Sequence, residues 1–152
     1  MTRYLKWVDL PPVWLAATLV LIWLQARFFS FGPGFGAWAA GAGSLLVAVG
    51  VIFIAAALWE MRRHRTTPVP HRVPSALVTS GVFAWSRNPI YLGDALILTG
   101  LILRWDATLS LILVPVFIKL IGTRFILPEE ARCQVAFGEA FRSYMSRTRR
   151  WI

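Results

Sequence analysis

Four stretches of the chain are almost wholly apolar, at residues 13–29, 37–59, 90–103 and 107–127. A membrane helix needs roughly 20 apolar residues. By that measure 13–29 is a modest span, 37–59 the clearest and 90–103 short, with 107–127 long enough. The breaks are of three kinds. Phe31-Gly32-Pro33-Gly34-Phe35-Gly36 reads as a tight turn by its glycine and proline content. Residues 60–88 form a polar, proline-spaced loop, and Arg104-Trp105-Asp106 splits the last two runs into a helical hairpin. Pro128-Glu129-Glu130 starts a final segment, in which Val135, Phe137, Phe141 and Tyr144 are spaced to line one side of a helix. The pattern predicts an all-α integral membrane protein with about four transmembrane helices and a C-terminal cytoplasmic helix. It predicts a single domain, 1–152, made of an N-terminal helical hairpin (1–61) and a second part (62–152).

Composition agrees. The chain is 57% hydrophobic with eight Trp and ten Phe among 152 residues, too apolar for a soluble domain of this size. A net charge of +9 would suggest nucleic acid in a soluble protein. Here the basic residues cluster between apolar runs, so lipid headgroups and topology explain them and no nucleic-acid partner is expected. Residues 60–88 carry Arg62, Arg63, Arg65, Arg72 and Arg87 against Glu60 alone. By the positive-inside rule that loop is cytoplasmic, and with two helices before it the N-terminus is cytoplasmic too. Arg132, Arg142, Arg147, Arg149 and Arg150 place the C-terminus on the same side. A multi-pass protein of a bacterial inner membrane is expected, without a cleaved signal peptide. The lone Cys133 excludes an internal disulfide and any multi-cysteine metal site.

Candidate chemistry gathers at residues 77–93, LVTSGVFAWSRNPIYLG. Proline fixes its own φ and pushes Asn88 toward an extended conformation. Arg87, Asn88 and Tyr91 thus stand at a helix entrance, suited to a small charged ligand near a membrane face. The plainer reading is a proline in a first helical turn with interfacial anchors on either side. Glu129 and Glu130 likewise have a plainer reading, as acids stabilising a helix N-terminus. Ala39, Gly41, Gly43 and Ser44 are small enough to admit another helix backbone. Lys119, in the middle of an apolar run, is a further functional candidate.

Taken together, the second half resembles the isoprenylcysteine carboxyl methyltransferase and phospholipid methyltransferase superfamily of membrane enzymes. The resemblance rests on Leu77-Val78-Thr79-Ser80-Gly81, then Arg87-Asn88-Pro89-Ile90-Tyr91-Leu92-Gly93, then a hairpin, Glu129-Glu130, Phe137-Gly138, Tyr144 and Arg149-Arg150-Trp151. Thr66-Thr67 and Pro70-His71-Arg72 resemble the family's upstream loop, so residues 62–152 are covered. Asn88 stands where the prenylcysteine enzymes usually carry His, Val82 where Pro is usual, Phe141 for a Tyr and Cys133 for a Leu. None of these removes the shared constellation.

The resemblance implies an S-adenosylmethionine-dependent methyltransferase, with the cofactor near the cytoplasmic face and the C-terminal helix completing its site. Arg87, Tyr91 and Glu130 are the implied catalytic residues. Leu77, Val78, Gly81, Arg87, Asn88, Tyr91, Glu129, Glu130 and Tyr144 are the implied cofactor-binding residues, with no metal. Arg87 and Asn88 would take the carboxylate, Glu129 or Glu130 the amino group or ribose, backbone at 78–81 the adenine edge, and Tyr91 or Tyr144 the sulfonium. The partners implied are the bilayer and a lipophilic acceptor: an isoprenylcysteine-like carboxylate, a phospholipid amine or a thiol. The short run 90–103 would leave a lateral gap for its tail, which bulky residues at Leu96 or Gly100 would block. Two other classes compete with this reading. A nicotinamide-dependent sterol-type reductase fits less well, because Ile90 precedes Tyr91 and Asp94 follows Gly93. A non-catalytic four-helix membrane protein would have no use for Arg87, Tyr91, Glu129 and Glu130 together.

Overall fold

The computed structural model describes residues 9–29, 34–67, 69 and 74–152. Arg3, Lys6, Trp7, the first half of the 31–36 turn and Pro70-His71-Arg72 lie outside them. Among the described residues the protein is helical with no strand. The order is α1 (Pro11–Phe28), α2 (Ala37–Arg63), a 3-10 turn (Gly81–Ala84) and α3 (Pro89–Arg104). A second 3-10 turn (Thr108–Ile112), α4 (Leu113–Ile121), a π turn (Gly122–Ile126) and α5 (Leu127–Arg147) follow. Proline opens α1 and α3, where a missing N–H costs no helical bond. The last turn of α2 holds Arg62 and Arg63, favourable at the carbonyl end of the helix dipole.

Among the described residues three helical stretches are long and apolar enough to cross a membrane: Pro11–Phe28, Ala37–Arg63 and the run Thr108–Arg147. The expected all-α membrane architecture is the one found. Helix α3 has 16 residues and rises about 24 Å, short of a hydrocarbon core of roughly 30 Å.

The chain forms two compact units. One comprises Met1–Gly50 and Asp94–Leu120. Within it Gly43 and Gly100 bring two backbones together: a Cβ on Gly100 would sit 2.6 Å from the Gly43 carbonyl oxygen, and one on Gly43 2.8 Å from the Arg104 nitrogen. Arg104 also donates to the Ser44 hydroxyl, and Ala39 is buried. The small-residue packing holds at these positions but not at Gly41, which faces open space. Gly100 is therefore a packing residue, and a bulky side chain there breaks a helix contact before it can block any passage. Asp106, at φ 53°, accepts the Phe35 backbone N–H at 2.8 Å, which ties the two turns of this unit together. Gln25 accepts from the Ser110 hydroxyl at 3.0 Å.

The other unit comprises Val51–Gly93 and Ile121–Ile152 and contains every candidate cofactor residue. Two expectations need correction in it. Pro128 does not start a separate segment, because residues 122–126 form a π turn that leads straight into α5. A proline lacks the N–H for an i→i−4 bond and its ring clashes with that carbonyl; the wider π turn accommodates it without ending the helix. The second correction concerns Gly138, whose φ 51° and ψ −118° interrupt α5. A stripe of helical spacing cannot continue through such a break. Phe141 and Tyr144, beyond it, are buried, whereas Val135, before it, is 89% exposed.

Candidate active site

The site grows from two short sequences that the fold brings together. The first is the extended link 86–88 with the opening turn of α3. Ser86, fully buried, accepts the Asn88 backbone N–H at 3.1 Å and donates to the Arg150 carbonyl at 3.2 Å. Pro89 then launches α3, and Leu92 N–H returns to the Asn88 carbonyl at 3.0 Å. This places Tyr91 in the first turn, 7% exposed. The second is the first turn of α5 with Glu129 and Glu130.

Tyr91 Oη donates to Glu129 Oε1 at 2.9 Å. Arg87 Nη2 lies 2.9 Å from Glu130 Oε1, with both side chains less than 15% exposed, and Arg87 Nε donates to the same oxygen at 3.2 Å. A second guanidinium closes on that carboxylate from the tail. Arg150 Nη2 meets Glu130 Oε2 at 2.6 Å and Arg150 Nε meets Oε1 at 3.2 Å. Hydrogen bonding to Glu130 holds the Arg150 guanidinium above its usual pKa. A carboxylate removed from water needs such compensation, and Glu130 receives it from both sides.

Arg87 reaches further. Its Nη1 donates to the carbonyls of Met145 at 3.3 Å and Thr148 at 3.2 Å, and its backbone N–H to Arg149 at 3.0 Å. Asn88 Nδ2 donates to the Arg150 carbonyl at 3.0 Å. The Arg-Asn pair thus grips the end of α5 and the residues after it. These contacts occupy most of the planar donor fork of Arg87.

The loop 77–81 and Tyr144 complete the arrangement. Val78 is buried and Leu77 half-buried. Gly81, at φ 58°, turns the chain into the 3-10 segment. Tyr144 is buried and donates to the Phe83 carbonyl at 2.6 Å, so it props that segment from below.

Glu129 and Glu130 cannot be stabilisers of a free helix start. The π turn before them is already helical, Ile126 included, so no unpaired N-terminal amides stand there for them to complement. That removes the plainer reading of the pair. Sequence reasoning missed Ser86 and Thr148, and took Arg150 only as a topological charge. Its one available signal was position: a basic residue after the last aromatic residue of the motif.

A family model described as phospholipid methyltransferase matches residues 38–140. The match takes in the Arg87-to-Gly93 motif and the two adjacent glutamates, and stops before Tyr144 and Arg150. Neither the curated proteins nor the solved structures contain a match to this chain. With well over half of its length matched, the chain belongs to the phospholipid methyltransferase family of membrane methyltransferases.

Proposed function

We propose that the chain transfers a methyl group from S-adenosylmethionine to a lipophilic acceptor at the cytoplasmic membrane face. The observation that carries this reading is the meeting of Arg87 and Tyr91 with Glu130 and Glu129, in a chain of a methyltransferase family. About forty residues separate the two motifs, and nothing in local helix formation requires them to meet.

The donor set suits the cofactor. S-adenosylmethionine presents an ammonium, a carboxylate, a ribose diol, an adenine edge and a sulfonium. Two adjacent carboxylates, a phenol, two guanidinium groups and an exposed backbone turn are complementary to that inventory. Glu129 would hold the ammonium or the ribose hydroxyls, and the backbone at 78–81 the adenine edge. Tyr91 would face the sulfonium with its ring. Arg87 and Asn88 would serve the carboxylate end while they grip the tail. When bound, the cofactor supplies a methyl group on a positively charged sulfur.

What the chain contributes is alignment and exclusion of water. A carboxylate or thiolate acceptor is already nucleophilic and needs no base. An amine acceptor must lose a proton, which Glu129 or Glu130 would accept, with the Tyr91 hydroxyl able to relay it to Glu129. The test is direct. Purified protein in lipid is incubated with methyl-labelled S-adenosylmethionine and a membrane lipid extract, and the labelled product is identified by mass spectrometry. A labelled lipid-soluble product that disappears in the Glu129→Ala variant is expected. Absence of any transfer by the wild-type protein refutes the proposal.

A further inference from the structure

Glu60 is out of place by every local rule. It lies in the last turns of α2, where the helix dipole disfavours an acid, and it is only 9% exposed. Burying a carboxylate is costly unless hydrogen bonds compensate it. Its compensation comes from the loop 77–81. The Ser80 hydroxyl donates to Glu60 Oε1. His64, one turn further along α2, sets Nε2 3.4 Å from the same oxygen and 3.1 Å from Ser80 Oγ. Beside them Gly81 presents to the carboxylate the side on which a Cβ would stand. A Cβ at Gly81 would be 3.2 Å from the carboxyl carbon and 3.3 Å from Oε2, and its φ of 58° already disfavours any side chain. Two successive loop residues are thus shaped around one buried acid.

We propose that Glu60 is a positioning residue of the cofactor site, which acts through Ser80 and Gly81 to set the backbone of the 78–81 loop. The inference rests on the proposed function, in which that backbone meets the adenine edge. A surface i,i+4 pair between Glu60 and His64 would stabilise α2 slightly and leave cofactor affinity untouched. A positioning role moves affinity. Hydrogen-bond donors and acceptors on a loop backbone discriminate only if the loop is held before the ligand arrives. Loss of the clasp therefore raises KM for S-adenosylmethionine and leaves the acceptor KM and kcat nearly unchanged.

The experiment measures S-adenosylmethionine affinity by calorimetry on the full-length protein in detergent, beside steady-state kinetics. Glu60→Ala and Ser80→Ala should each weaken binding about tenfold, as loss of one charge-assisted hydrogen bond predicts. Glu60→Gln, whose amide oxygen still accepts from Ser80, should stay within about threefold of wild type. The double variant Glu60→Ala/Ser80→Ala should be no weaker than Glu60→Ala alone, because removing the acid already removes the Ser80 bond. Ser80 is exposed, so its alanine variant tests the idea even where Glu60→Ala fails to fold. Wild-type affinity in Ser80→Ala overturns the inference while the proposed function stands. No cofactor binding by the wild-type protein overturns the proposed function itself, and the inference with it.

Discussion

At the scale of single residues, the two glutamates divide their duties, and this changes which mutation is informative. Glu130 is held between Arg87 and Arg150. From the sequence, Glu130→Ala is expected to weaken cofactor binding with little effect on folding. The structure points the other way. Removing that carboxylate strands two guanidinium groups that were built around it, Arg87 being almost buried, and breaking such a pair costs roughly 3 kcal/mol. The expected outcome is a clear fall in thermal midpoint for Glu130→Ala and for Arg87→Ala. Glu129→Ala, which removes an acceptor of the Tyr91 hydroxyl but strands no pair of guanidinium groups of the kind around Glu130, should melt closer to wild type yet bind S-adenosylmethionine at least tenfold more weakly, as loss of a charged hydrogen bond implies. Melting curves and calorimetry on the same preparations check both. Equal stability for the two alanine variants would contradict this division. Gly138 supplies a sharper backbone test. Its φ and ψ are accessible almost only to glycine, so Gly138→Ala should cost about 1–3 kcal/mol although the added methyl meets nothing. The same substitution at Gly41, helical and facing open space, should be neutral or stabilise by up to about 1 kcal/mol. The thermal midpoint should therefore fall for Gly138→Ala and hold or rise for Gly41→Ala.

At the scale of elements, most helices are legible in the sequence because their apolar runs are long and their boundaries carry proline, glycine or arginine. The expected 37–59 run becomes Ala37–Arg63, and 90–103 becomes Pro89–Arg104. Where legibility failed, the cause was backbone geometry that no side-chain pattern records. Pro128 looks like a boundary, and the π turn turns it into a passage. Gly138 looks like part of a motif, and its backbone divides α5 in two. In the candidate site, the residue types were legible in Arg87, Tyr91, Glu129 and Glu130. Their pairing was not, because each contact spans roughly forty residues. The tail's part was hidden because it is made largely through main-chain carbonyls, which every residue has. The π turn makes a prediction of its own. Pro128→Ala restores a backbone donor, so the turn can tighten toward α-helical bonding. Tightening rotates Glu129 and Glu130 relative to residues before the turn. Thermal stability should hold or rise slightly while S-adenosylmethionine affinity falls. Unchanged affinity in that variant would mean that the turn is set by packing around Phe125 and Ile126, both fully buried, and not by the proline.

At the scale of the whole molecule, the remaining question is which end faces the cytoplasm. Helix α2 decides it most cleanly. Its 27 residues rise about 40 Å, more than a hydrocarbon core of roughly 30 Å, so Ala37 and Arg63 must emerge on opposite sides. Most of the sixteen Lys and Arg belong to the unit of Val51–Gly93 and Ile121–Ile152. That unit also holds the candidate cofactor residues, and the positive-inside rule predicts that its basic ends face the cytoplasm. Phe35 and Asp106 share a hydrogen bond, so the turns before α2 and after α3 lie together, and the same rule predicts that they face outside. Cysteine accessibility in intact cells tests this on a background in which Cys133 is replaced by serine. Position 34 is a poor reporter, since a side chain there would meet the Asp106 carboxylate at 2.6 Å; Ala37, which is exposed, is a better one. A membrane-impermeant maleimide should label Ala37→Cys at once, and Arg63→Cys and Arg147→Cys only after the membrane is opened. Labelling of Arg63→Cys from outside would invert the topology and move the cofactor residues away from the compartment in which S-adenosylmethionine is made.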